Sequence, residues 1–332
     1  MDIVRAILLT AMLAALWGCS PYGYSSQIGD LDKSVTGLAN SVKSGHEALI
    51  SDTTNGRNLD LIYRQRPVAL SPSCTPGTVR SSPKDLPCAA YKVGGSPEEL
   101  ADPSPIPPKL KAMLAGLKDY TAALAAVTKA SDRTDFTTAV GKLSASASAF
   151  VGAAAGPGTV VAPIVAAGIN LAGWLVGTSL DIQRFQALRD AVNRVDKPVA
   201  PTNEKPMDIF AAELSVHLTS LVGKRRTRLY LAAHVIRAEL GPGLGPETYK
   251  ARLADLGAVL ATYEGLRLSD PEGAAKALPA AHAALVEAVN NPKLDIGALM
   301  QALGDLKDKV TALETAIAAA STPAKAAATN SK

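Results

Sequence analysis

Apolar residues spaced three and four apart draw helical stripes near both ends of this chain and twice in between. Ile296, Leu299, Leu303, Leu306, Val310, Leu313 and Ile317 form one stripe. Ile28, Leu31, Val35, Leu38, Val42 and Leu49 form another, with Gly45 in the missing place. A third runs through Ile106, Leu110, Met113, Leu117, Tyr120, Leu124 and Val127, and a fourth through Tyr249, Leu253, Leu256, Leu260 and Tyr263. Heptad spacing of this kind puts one continuous apolar seam on each helix, and a seam calls for a cover. The expected fold is all-α, an elongated antiparallel bundle of heptad-patterned helices.

Polar and helix-breaking residues set the boundaries. Residues 27–52 read as the first long helix, and residues 106–320 return to the helical pattern. Between them, residues 53–105 are rich in proline and serine, offer at best a short strand in "LIYRQRPVAL", and read as an irregular insertion. In "SDPE", Ser269 stands as a helix cap, Pro271 in the first turn and Glu272 three residues after the serine, a capping box. Residues 321–332 have no apolar period to bury and are expected to be disordered.

The middle of the chain departs from the amphipathic pattern. Residues 143–180 carry no charge, and residues 159–180 as a helix would reach about 33 Å, the thickness of a bilayer core. Small residues recur four apart, as in Ala162 with Ala166 and Gly173 with Gly177, a spacing that lets helices approach closely. Two readings follow. The stretch is a central helix enclosed by the bundle, or it inserts conditionally into a membrane through Val160, Val161, Ile164, Val165, Ile169, Leu171, Trp174, Leu175 and Val176. An apolar stretch midway between heptad helices resembles, in layout only, the plan of soluble helical pore-forming toxins. That resemblance implies a membrane-inserting bundle acting through residues 147–180.

The N-terminus has the parts of an export signal: Arg5, an apolar core over residues 6–16, and a small residue, Gly18, before Cys19. The core is shorter than the roughly 20 residues that span a bilayer. Leu16, Trp17, Gly18 and Cys19 resemble the lipobox of bacterial lipoproteins, with Trp17 where a small residue is usual. The resemblance covers residues 1–20. It implies removal of residues 1–18, a lipid on the Cys19 sulfur, an anchor linker over residues 19–26, and attachment to the membrane by the N-terminus. Ser20 follows the cysteine where an aspartate retains such proteins at the inner membrane, so the expected location is the outer membrane, facing the periplasm. Lipidation of Cys19 leaves Cys74 and Cys88 as an even pair among the three cysteines. In an oxidising compartment these are expected to join, closing a loop of about 15 residues and restricting the unfolded chain by roughly 3 kcal/mol.

Composition narrows the chemistry. Only 4% of the residues are aromatic and a net charge of +4 is spread along the chain, so the stacking rings and the concentrated basic face of a nucleic-acid binder are missing. No HExxH, GxSxG, P-loop or GxGxxG occurs, and "GPGLGP" lacks both a third glycine and a preceding strand. Glu213 and His217, four apart, read as a stabilising side-chain pair; no metal, cofactor or catalytic group is implied. The one basic cluster, "GKRRTR" over residues 223–228, holds Lys224, Arg225, Arg226 and Arg228 as candidate anion-binding residues. Packed like charges need solvent, an anionic head group or acidic neighbours such as Asp181 and Asp190. The expectation by elimination is a lipid-anchored structural or adaptor lipoprotein, no enzyme, that binds another envelope protein through its helical faces.

Overall fold

The computed structural model describes residues 24–63, 68–70, 90–92, 105–156, 180–291 and 296–319. Cys19, the Cys74 and Cys88 pair, and the nine candidate inserting residues from Val160 to Val176 lie outside them. The described chain is all-α save for one small hairpin. Its helices are α1 (Ser25–Tyr63), α2 (Pro108–Lys129), α3 (Arg133–Ala155), α4 (Leu180–Val195), α5 (Pro206–Glu239), α6 (Pro246–Leu268), α7 (Pro271–Asn290) and α8 (Gly297–Ala319). Strands β1 (Val68–Leu70) and β2 (Ala90–Lys92) pair antiparallel, Val68 opposite Lys92. Among the described residues no helix is long and apolar enough to cross a membrane.

Two boundaries differ from expectation. Helix α1 does not stop at residue 52 but continues to Tyr63. Residues 53–63 lack an apolar period, yet they also lack a proline, so nothing removes a backbone donor until Pro67. Ser269 is no N-cap. It is the C-cap residue of α6, its hydroxyl donating to the Leu266 carbonyl at 2.8 Å, because so few residues join α6 to α7 that one serine meets the end of the first helix.

The helices form two compact units. One gathers described residues within 1–39, 107–215 and 272–311. Its core is the covered part of the stripes: Ile28, Leu31, Val35 and Leu38 from α1, Leu110, Met113, Leu117 and Leu124 from α2, and Leu299, Leu303 and Leu306 from α8. Helices α2 and α3 approach so closely at Gly116 that an added Cβ would lie 2.9 Å from the Phe150 backbone. Only glycine fits there. Ala147, Phe150, Val151 and Ala154 are buried on α3, so the first part of the uncharged stretch is core, and Phe150 meets Phe210 edge-on at 6.1 Å. Helix α7 contributes a face of Ala274, Ala275, Leu278, Ala281 and Leu285, where small side chains permit close packing.

Two sets of buried polar groups in this unit are paired. The Tyr120 hydroxyl and His282 Nε2 share a hydrogen bond of 3.3 Å inside the core. Burial pushes the phenol up and the imidazole down to about 4, so both are neutral at pH 7. Arg184 donates to Asp181 at 2.8 Å and to the Ala130 carbonyl, the C-cap of α2, placing a cation at the negative end of that helix. Asp181 is thereby taken.

The second unit gathers described residues within 40–106, 216–271 and 312–332. Val42 and Leu49 of α1, Leu221, Val222, Leu229 and Ile236 of α5, Leu266 of α6, and Leu313 and Ile317 of α8 are buried in it. Gly45 explains its own place in the stripe: an added Cβ would lie 2.8 Å from Leu221 Cδ2 and 3.4 Å from Ile317 Cδ1.

Candidate functional site

The chemistry of the second unit concentrates on α5 from Gly223 to Tyr230. A helix turns about 100° per residue, and that rotation sends the four basic side chains of this segment to different surroundings. Arg225 lies four residues from both Leu221 and Leu229 and follows them into the core, where it is fully buried. Lys224 and Arg228 are exposed, and Arg226 stands half-buried at the shoulder between the two faces.

Arg225 finds its acid on α1. Its Nε donates to Asp52 Oδ2 at 2.9 Å and its Nη1 to the Ile317 carbonyl at 3.4 Å. Asp52 stands three residues beyond Leu49, at the next position of the α1 stripe, so it too is buried. Burial pushes its carboxyl up, and the Arg225 guanidinium pulls the other way. Asp52, not Asp181 or Asp190, is thus the acidic partner within the cluster. His217 also occupies a core position of α5. Burial, followed by His46 and Lys224, pushes its imidazole below the ordinary range, and its Nε2 has no hydrogen-bond partner among the described residues. Glu213 is engaged elsewhere, with Lys109 at 2.9 Å.

Arg226 has a different environment. With Gly223, Thr227 and Tyr230 of α5 and Tyr263 of α6, it lines an open pocket of about 410 Å³. Its Cζ lies 5.3 Å from the centroid of the Tyr263 ring and its Nη2 donates to the Tyr263 hydroxyl at 3.4 Å. The acid next along α6, Glu264, accepts two hydrogen bonds from Arg267, at 2.7 and 2.6 Å. Those bonds hold the Glu264 carboxyl below the usual carboxylate range, with Arg226 adding a weaker pull in the same direction.

Tyr263 is also the last member of the fourth heptad stripe, and that stripe is open. Tyr249 is 42% exposed, Leu253 51% and Leu260 49%. Helix α6 has only Thr262 and Leu266 buried, with Val259 and Tyr263 packed partly against Val222, Leu229 and Leu266. The helical rotation accounts for this. Tyr249, Leu253 and Leu260 fall within an arc of about 40°, while Val259 and Leu266 point roughly 100° away from it, toward the core. Tyr230 and Leu231 of α5 add to the exposed apolar surface.

Among the described residues no group of three or more His, Cys, Asp or Glu side chains is placed to hold a metal ion. Of the sites expected from sequence, the four basic residues are therefore described, and they divide into a buried ion pair, a pocket wall and two exposed charges. Asp52, Tyr230 and Tyr263 were not anticipated as their partners. No known protein family matches the chain, and neither the curated proteins nor the solved structures contain a detectable relative.

Proposed function

We propose that this chain is a lipid-anchored contact protein of the bacterial envelope, tethered through Cys19 and binding a helical protein partner along the open stripe of α6. The observation that carries this reading is the exposure of Tyr249, Leu253 and Leu260 at heptad spacing. A seam of that spacing is complementary to another helix, and leaving it in water forgoes about 25 cal/mol per Å² of apolar surface. The lipobox-like N-terminus supports the location, and in an oxidising compartment Cys74 and Cys88 would join as a disulfide.

The test is positional. A photo-activated cross-linker placed in turn at Leu253, Leu260 and the exposed Lys118 of α2, in living cells, is expected to give one discrete protein adduct from the first two sites and none from the third. Absence of adducts from Leu253 and Leu260, or an equal yield from Lys118, sinks the docking reading. Anchoring is tested separately by Cys19→Ser, which is expected to move the protein from the membrane to the soluble fraction.

A further inference from the structure

The outward face of α6 carries more than its apolar seam. Around the helix, at about 100° per residue, Leu260, Leu253, Glu264, Gly257, Lys250, Ala261 and Ala254 follow one another across an arc of about 120°, and all are exposed. Gly257 is central along the helix as well as around it. Lys250 lies seven residues before it and Glu264 seven after, Ala254 and Leu260 three to either side, Leu253 and Ala261 four. A face with this layout complements itself when reversed. Laid antiparallel on a copy, with the two Gly257 backbones crossing, it brings Lys250 level with Glu264 of the second copy, twice over by symmetry. Leu253 then comes beside Leu260 of the second copy along one edge, and Ala254 beside Ala261 along the other. Laid parallel and in register, the same face sets Lys250 against Lys250 and Glu264 against Glu264, which repel.

We propose that the partner seated on α6 is a second copy of this chain, antiparallel to the first about a two-fold axis at Gly257. The inference rests on the docking reading above and names the partner. Charge complementarity selects both the occupant and its direction. Glu264 accepts two bonds from Arg267, yet a carboxylate has about four lone-pair sites and can receive the Lys250 ammonium as well. At Gly257 no atom lies within 4 Å of where a Cβ would be, so with alanines on the flank a second backbone can come close. Helix α6, with 23 residues, offers a strip about 34 Å long and about 10 Å wide, less than the roughly 800 Å² per partner of a standard interface. The pairing therefore belongs to the transient class, and the membrane anchoring proposed above would raise the effective concentration of the two copies.

Identity is tested by expressing two differently tagged copies of the full chain together, one of them carrying the photo-activated cross-linker at Leu253. The expected adduct contains both tags and has twice the mass of the chain. A discrete adduct with a different protein, and none with both tags, overturns this inference and leaves the docking reading standing; no adduct of any kind sinks both. Direction is tested in non-ionic detergent, by energy transfer between donor-labelled and acceptor-labelled chains. Lys250→Glu alone and Glu264→Lys alone should each self-associate about tenfold more weakly, because both charge contacts of the pair change sign. A mixture of the two variants should associate as tightly as the unaltered chain, since each then meets the opposite charge. Both positions are exposed, and circular dichroism shows whether each variant keeps its helices. Undiminished self-association of either variant, or failure of the two folded variants to recover on mixing, would overturn the proposal.

Discussion

Helices α6 and α8 carry the same rhythm and meet opposite fates. In α8, Leu299, Leu303, Leu306, Val310, Leu313 and Ile317 are all buried. In α6, Tyr249, Leu253 and Leu260 stand in water and only the shoulder of the helix touches the core. The spacing is as regular in one as in the other, so periodicity reports that a face wants covering and not what covers it. The flanks of the α6 seam explain the difference in part. Val259 and Leu266 form a second, offset face, and that face is the one packed against Val222 and Leu229 of α5.

Breaking the covered side of this contrast should give the largest effect where a stripe position holds a charge. Asp52→Ala leaves Arg225 buried without its acid and is expected to cost about 4 kcal/mol in chemical denaturation, whereas Asp52→Leu combined with Arg225→Met should cost far less. A loss under about 1 kcal/mol for the single change would remove the pair from the core. Next, Leu306→Ala in the fully buried α8 stripe should cost about 3 kcal/mol.

Acid should reach the covered core as well. His282 is held down to about 4 in the folded protein, so the unfolded chain, with an ordinary histidine near 6.5, takes up its proton first. The contribution to stability is complete above about pH 7 and is lost as pH falls toward about 4, amounting to about 2 kcal/mol between pH 7 and 5. His282→Leu should flatten that slope. The smallest effect belongs to the open stripe: Leu260→Ala should change stability by less than about 0.5 kcal/mol, while Leu260→Glu should leave the fold intact and abolish cross-linking from Leu253. A cost for Leu260→Ala close to that of Leu306→Ala would erase the distinction between the two helices.

Much of the fold could be read from the residues. The stripes of α1, α2 and α8 lie where their spacing puts them, and Gly45 marks a close contact by interrupting one. The site was legible in part. Arg225 is four residues from two core leucines, so rotation alone separates it from Lys224 and Arg228, and Asp52 continues the α1 stripe. Both signals depend on treating a charge at a core position as a member of the seam. What was not legible depends on pairing between distant segments. Nothing local brings Tyr263 to Arg226, and the end of α1 at Tyr63 follows from the absence of a breaker, a weaker signal than the presence of one. The role of Ser269 turned on which of two adjacent helices it closed.

The ion pair between Asp52 and Arg225 has a consequence for assembly. Repeating seams are nearly degenerate, because sliding one helix along another by a whole heptad brings leucine opposite leucine again. A carboxylate and a guanidinium set into two such seams remove that degeneracy. Any slipped alignment strands both charges among hydrocarbon, and one alignment alone brings Asp52 Oδ2 within 2.9 Å of Arg225 Nε. The pair is an index mark that tells α1 and α5 where along their lengths to stop.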